Sequence, residues 1–307
     1  MKVPVGRPDV RRYETRFEPA AAQHPHDLRA TFLGVSTVLF RAGDSAIMTD
    51  GFFTRPGLLR TLARKVAPDR AMIAGSLRRL AVRRLAAVIP VHSHYDHAMD
   101  APVVAELTGA TVIGSESTAN IALGHRLPAE RVRTPRLGEP IRLGRFTVRL
   151  LPGEHSPKPL ARGHIARPLT PPARATDYRM GECYAVHIEC DGRRILVNGS
   201  AGFVPGALQG YQADVVYFGV PTLGRQTPEF REALWREVVE TTGARRVVPV
   251  HWDDFWRPLH RPLVPMRRFA DDLDVTMAFL LDRAERTGVD VRLPVAWRVT
   301  DPFTGLE

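Results

Sequence analysis

Residues 88–100 read VIPVHSHYDHAMD, a short apolar run followed by His92, His94, Asp96 and His97. Three of the chain's 11 histidines therefore fall within six positions. On an extended strand end, side chains two residues apart project to one side, so His92 and His94 can grip a single cation. A turn into a helix at DHAMDAPVV swings Asp96 and His97 towards a second position. Neutral imidazole and carboxylate are ligands that zinc takes, and geometry more than raw affinity selects among metals. The competing interpretation is a solvated polar turn. It is the weaker one, because three imidazoles desolvated together without a cation lose their charge and leave ring nitrogens unpaired.

Such a site needs ligands from elsewhere in the chain, and two further histidines have the same local context. His155 closes RFTVRLLPGEH and His251 closes RRVVPVHW, each directly after an apolar strand, as His92 follows AAVIPV. A lone histidine at a strand end is usually incidental. Three of them imply one sheet edge at which loops converge.

The elements that must deliver these residues are readable from pattern. TFLGVSTVLFRAG and SAIMTDGFF are β-rich runs around the turn AGDS. GLLRTLARKVAP has helical spacing and ends at Pro68, and AMIAGSLRRLAVRRL reads as a second helix. Helix APVVAELTGA, strand TVIGS and helix STANIALGH then give α/β alternation. The second half moves from strands EPIRLGRFTVRLLPGEH, CYAVHIEC and RRILVNGS to strand ADVVYFGV and helix PEFREALWREVVETTG. The strand RRVVPVHW and a last helix over roughly Val264–Thr287 complete it. Two sheets stacked face to face with helices outside satisfy this order. Residues 1–29, polar and punctuated by proline, are expected to form an arm over a single domain spanning 30–307. One long irregular segment, 156–182, carries five prolines, and such a loop in a compact domain is commonly functional.

Composition narrows the class. At 307 residues and 44% hydrophobic content the chain can bury a sizeable core. No window approaches the roughly 18 to 20 uninterrupted apolar residues of a membrane span, and MKVPVGRPDVRRYETRFEP has no apolar core of signal-peptide length and carries charges throughout. A soluble, cytoplasmic protein is expected. Cys183 and Cys190, seven apart in one strand, face opposite sides and do not suit a disulfide. The net charge is +10, yet of 43 basic residues only Lys2, Lys65 and Lys158 are lysine. That pattern fits an arginine-rich coding bias better than a nucleic-acid surface, although a nucleic-acid partner stays open.

Taken in order, HSHYDH, PGEH, ILVNGSAG and VPVHWDD resemble the metallo-β-lactamase superfamily of metal-dependent hydrolases, over roughly residues 30–260. The opening FLGVSTVLFRAGDSAIMTDGFF looks most like the branch of ascorbate-6-phosphate lactonases and N-acyl-phosphatidylethanolamine phospholipase D enzymes. The resemblance implies an αββα sandwich, an α/β fold of two stacked mixed sheets, with the site at one edge. It implies His92, His94 and His155 on a first metal, and Asp96, His97 and His251 on a second. Asp50 would support the metal loop from behind. The metal would be zinc, as one ion or two, with Mn2+ or Fe2+ as further candidates. One position departs from the family pattern: Ser200 stands where an aspartate bridges both metals. Glu154, Glu182 and Asp253 are the acids nearest in sequence to ligand positions that could substitute. With five neutral histidines and one aspartate, the ligand set carries a charge of −1 and should favour an anionic substrate.

The activity these features imply is hydrolysis by a metal-bound hydroxide of an ester, lactone or phosphodiester in a small-molecule substrate, with Asp96 orienting the nucleophile and taking its proton. Arg162 and Arg167, with Lys158, Arg174 and Arg179, place cations in the long loop, where Tyr178 is a further substrate-binding candidate. His164, Tyr178 and Glu182 are candidates for the general acid. Phe52, Phe53, Phe203, Trp252 and Trp256 flank the motifs as either an apolar wall or ordinary core. Two rivals are a nuclease of the same superfamily and a non-catalytic binding protein whose site decayed at Ser200. A di-iron oxygen-reducing centre is disfavoured because that branch carries glutamate where His94 stands. A homo-oligomer is compatible with the sequence.

Overall fold

The computed structural model describes residues 6–21 and 28–306. Residues 1–5 and 22–27 of the expected arm lie outside them. Along the chain run β1 (Arg29–Phe32), β2 (Val38–Ala42), β3 (Ser45–Thr49), α1 (Leu58–Ala63), β4 (Lys65–Val66), α2 (Arg70–Arg79) and β5 (Ala87–Ile89). There follow α3 (Tyr95–Ala98), α4 (Ala101–Thr108), β6 (Thr111–Ile113), α5 (Glu116–Gly124), β7 (Val132–Arg133), β8 (Ile141–Leu143) and β9 (Phe146–Gly153). The second half holds β10 (Ala173–Arg174), β11 (Cys183–Cys190), β12 (Arg193–Asn198), β13 (Val215–Gly219), α6 (Pro228–Trp235), β14 (Arg246–Val250), α7 (Leu273–Thr287), β15 (Asp290–Val291) and β16 (Val299–Thr300).

Fourteen of these strands form two mixed seven-stranded sheets, ordered β16-β1-β2-β3-β5-β6-β7 and β15-β14-β13-β12-β11-β9-β8, and β4 pairs with β10 apart from them. Each sheet combines antiparallel neighbours, such as β2–β3 and β11–β12, with parallel ones, such as β3–β5 and β12–β13. Side-chain alternation explains the layering. Phe40, Ile47 and Ile89 point between the sheets, where Phe40 meets Tyr217 of the second sheet edge-to-face at 5.4 Å. Their neighbours Leu39, Met48 and Val88 point the other way, onto Ile73 and Leu77 of α2 and Val104 of α4. On the far side, Phe218 meets Trp235 of α6, and Met277 and Leu280 of α7 seal the same core. The αββα sandwich expected from the sequence is the observed fold.

Register brings the functional strand ends to one edge. In the first sheet Thr49 pairs with Ile89, so β3 and β5 stop together just before Asp50 and His92. In the second, Gly153 of β9 pairs with Cys183, Ala185 with Asn198 of β12, and Gly219 of β13 with Val250 of β14. His155, Ser200 and His251 therefore leave from one rim.

Three boundaries differ from those expected. The first helix stops at Ala63 rather than reaching Pro68, because Lys65 and Val66 extend to pair with Arg174 and Ala173 of the long loop. The second stops at Arg79, two residues before Ala81 takes a left-handed φ of 51°. The last helix begins at Leu273, not Val264. Pro265 instead bridges to Asp253, and Asp272 caps the helix by accepting from the Asp274 N–H.

Residues 6–21 pack against the second sheet's helical side. Phe17 bridges to Leu293, the Tyr13 hydroxyl donates to Asp274, and Arg7 pairs with Asp254. Glu18 is buried here, with Oε1 lacking a partner among the described residues. Burial raises its carboxyl to about 7 from an ordinary 4.5, against the opposing pull of Arg246, Arg298 and Arg292. The folded chain thus holds a proton that the unfolded chain releases, so stability present below pH 4.5 is lost as pH rises through 7. Glu18→Gln should match the parent's stability near pH 4.5 and exceed it above pH 7, by up to about 3 kcal/mol at full ionisation, with a correspondingly higher melting temperature. Melting curves at the two ends of that range check it.

Candidate metal centre

The metal-type ligands separate into two trios. One ligand atom from each of His92, His94 and His155 lies within 4.8 Å of the others, and the same holds for Asp96, His97 and His251. The trios abut, with the His92 and His97 rings 3.9 Å apart between centroids. All six residues sit at the shared rim: His92 and His94 in the turn after β5, Asp96 and His97 in α3, His155 after β9 and His251 after β14.

Hydrogen bonds decide which imidazole nitrogen is left for a cation. His94 Nε2 donates to the Leu160 carbonyl at 2.9 Å, freeing Nδ1, which lies 3.1 Å from His92 Nε2. His155 Nδ1 donates to the Ser156 carbonyl at 3.0 Å, freeing Nε2. His97 Nδ1 donates to Asp50 Oδ2 at 2.9 Å, so its Nε2 faces Asp96 Oδ2 at 3.6 Å. His251 Nε2 lies 3.3 Å from the same carboxylate oxygen. Oxygen acceptors that orient the far side of an imidazole in this way fix its tautomer and raise its basicity as a ligand.

Charge agrees with this donor set. Burial first, and neighbouring imidazoles second, hold His92 well below its ordinary value. Burial also lowers His94, and lowers His155 to about 4. These rings are neutral and their lone pairs available. Asp96 is buried, which works against its charge, yet His97, His251 and His94 hold its carboxyl below the usual carboxylate range. For His97 burial opposes the proton, but Asp50 and Asp96 outweigh it and raise the ring's value. Buried nitrogens His92 Nδ1 and His251 Nδ1 have no partner among the described residues. Imidazoles clustered around a buried carboxylate, each trio compact, fit a divalent cation.

Backbone strain concentrates at the same rim. Asp50 has φ 53°, His251 φ 62° and Val35, a β-branched residue, φ 51°. Each such position costs on the order of 1–3 kcal/mol and persists only where the surroundings impose it. Here the His251 N–H donates to the Val35 carbonyl at 2.7 Å, while the Val35 N–H donates to Asp253 Oδ1 at 2.8 Å. Asp253 is in turn ion-paired with Arg55, both side chains fully buried. Gly202 serves His155, since a Cβ there would lie 2.4 Å from the His155 carbonyl oxygen.

Several sequence candidates sit elsewhere than expected. Asp253 is no substitute ligand: it is spent on Arg55 and Val35. Glu154 and Glu182 are exposed, the latter 3.7 Å from His164. Ser200 Oγ accepts from the Ser156 N–H at 3.0 Å and lies 3.0 Å from Ser156 Oγ, so the serine braces the residue that orients His155. Tyr178 is fully buried among Val35, Phe52, Ala98 and Met99, which makes it a packing residue of the long loop. Arg162 and Arg167 are exposed on that loop. Phe52, Phe53 and Trp252 are core, whereas Trp256 is half-buried and donates to the Tyr95 hydroxyl at 3.0 Å. Three participants carried no signal in the sequence: Ser36, whose hydroxyl donates to Asp50 Oδ2 at 2.5 Å; Ser156; and the Leu160 carbonyl.

Residues 47–252 match the beta-lactamase superfamily domain, and the chain belongs to that superfamily, in its metal-dependent metallo-β-lactamase form. A UPF0173 protein of Pyrococcus abyssi is 25% identical over 168 residues, covering 55% of this chain and 67% of that protein. Among solved structures, Igni18, a metallo hydrolase from Ignicoccus hospitalis, superposes with a TM-score of 0.52 at 18% identity, covering 88% of this chain and 95% of that one. CmlA, a diiron β-hydroxylase from Streptomyces venezuelae, superposes at 0.54 and 16% identity, over 89% of this chain and 54% of that one. These structural likenesses show the shared fold. They span more than one chemistry, so activity has to be argued from the residues of this site.

The Asp50 carboxylate carries the second trio's orientation. Asp50→Asn should weaken metal retention about 10- to 100-fold, seen as earlier loss of one metal equivalent in chelator competition.

Proposed function

We propose that this protein is a metal-dependent hydrolase of a small anionic substrate, cleaving an ester, lactone or phosphodiester bond. One observation carries the proposal: five imidazoles and one carboxylate, scattered from residue 92 to residue 251, converge as two compact trios. His92, His94 and His155 would hold one ion, and Asp96, His97 and His251 another. Zinc suits the nitrogen-rich set, with Mn2+ or Fe2+ as alternatives. A divalent ion held there supplies a water whose pKa falls to about 7 and a Lewis acid that polarises the substrate oxygen.

The chain's own groups do the rest. Asp96, kept ionised by three imidazoles, has in Oδ2 the acceptor for a proton from the attacking water. Asp50 and Ser36 hold His97 in place, and the Ser156 and Leu160 carbonyls hold His155 and His94, so the trios need no rearrangement to act. A nitrogen-rich ligand set would leave an electropositive centre that draws an anionic group, and Arg162 and Arg167, exposed on the adjoining loop, would add to that field. Within the superfamily, the opening strands and turn favour the branch resembling ascorbate-6-phosphate lactonases and N-acyl-phosphatidylethanolamine phospholipase D enzymes.

Elemental analysis of the purified protein, paired with generic ester, lactone and phosphodiester substrates, tests this. At least one stoichiometric divalent ion is expected, with activity lost on chelation and restored by zinc or manganese. His92→Ala and His251→Ala should each lower kcat/KM by at least about a hundredfold. Ser200→Asp should raise metal content if the missing carboxylate limits the second ion. Metal-free protein inert towards all three bond types would favour a binding role, and salt-sensitive cleavage of structured RNA a nuclease.

A further inference from the structure

Helix α1 is turned inside out. Leu58, Leu59 and Leu62 are 41%, 82% and 74% exposed, while the polar Thr61 is buried, its hydroxyl bonded to the Pro56 and Gly57 carbonyls. Spacings of one, three and four residues put the three leucines on one side of the helix. Single exposed apolar residues elsewhere need no explanation, but three on a six-residue helix do.

The segment that carries the helix is cationic and has no acid of its own. No aspartate or glutamate occurs between Asp50 and Asp69. Arg55 is spent on Asp253, whereas Arg60, Arg64 and Lys65 make no ion pair among the described residues. Leu59, Arg60, Ala63, Arg64, Lys65 and Pro172 line a shallow open groove. The opposite, buried side of the helix packs beside the metal loop. Thr61 reaches the hydroxyl of Tyr95, the residue between His94 and Asp96, and β4 after the helix pairs with β10 of the long loop. That loop itself exposes Leu160 (84%), the residue whose carbonyl orients His94.

We infer that α1 and its flanking cations are a docking face for an anionic lipid surface, which brings the metal centre's rim to the membrane. Leucines that enter the acyl boundary while arginine and lysine meet anionic headgroups match this combination. A second copy of this chain fits worse, since a twofold contact would set the same unopposed cations against each other. Nucleic acid would satisfy the cations and leave the leucines without apolar partners. No helix among the described residues is long and apolar enough to cross a membrane, so the contact would be peripheral. The inference stands apart from the proposed hydrolysis and needs no activity to test.

Co-sedimentation of the full chain with vesicles tests it. Binding to equimolar phosphatidylglycerol and phosphatidylcholine should exceed binding to phosphatidylcholine alone by about tenfold or more and fall with salt. The double variant Leu59→Ser/Leu62→Ser should lose about tenfold or more of that binding with its melting temperature unchanged, as should Arg60→Glu/Arg64→Glu. No binding to the anionic vesicles overturns the inference. So does equal binding by the leucine variant, which would reduce the effect to charge alone. A concentration-dependent dimer that the leucine variant abolishes overturns it too, by making a second copy the occupant.

Discussion

Burying five imidazoles beside two carboxylates forces a choice of proton position at every ring, and the loops of this protein are arranged around making that choice. A histidine can ligate only through an unprotonated nitrogen, so the other nitrogen must be occupied. His94, His97 and His155 meet the requirement with three different oxygens: a loop carbonyl, the Asp50 carboxylate and the neighbouring Ser156 carbonyl. The αββα frame supplies the rim, and these oxygens set how the rings are aimed.

The strained backbone follows from the same requirement. His251 reaches Asp96 only with a left-handed φ, and the conformation is held by a bond to Val35, itself left-handed and tied to Asp253. The buried Arg55–Asp253 pair looks extravagant in isolation, since two desolvated charges roughly break even against an apolar pair. Its worth lies in specifying geometry: removing either partner strands the other charge in the core and releases the turn that presents His251. Asp253 therefore serves the metal site without being a ligand.

Much of this was legible in the sequence, for an identifiable reason. Strand-end histidines announce themselves because a short apolar run precedes each of them, so His92, His155 and His251 could be placed on one edge before any contact was known. The two stacked sheets followed from the order of strands and helices together with the family resemblance. Whatever depended on a backbone atom or a small hydroxyl was invisible. Ser36, Ser156 and the Leu160 carbonyl have no compositional signature, and Asp253 and Tyr178 looked chemically available because sequence does not show that they are already paired or packed. Helix ends failed where tertiary pairing overrode local propensity, as at Lys65–Val66 and at Pro265.

Ser200 shows why a departure from a family pattern has to be interpreted through its contacts. In sequence it is only a lost carboxylate. In the structure its hydroxyl is bonded to Ser156, which orients His155, so the position still serves the first trio while giving nothing to the second. An aspartate placed there would gain a ligand for two ions and give up that brace. The two trios are thus supported unequally: the first by backbone carbonyls and serines, all neutral, and the second by Asp50 together with its own Asp96. Because a cation's attraction to a site scales with the negative charge around it, the Asp96 trio carries the stronger electrostatic hold and the His92 trio the weaker. The two halves therefore differ in the charge they set around a cation, with Asp96 and Asp50 beside one and no carboxylate beside the other.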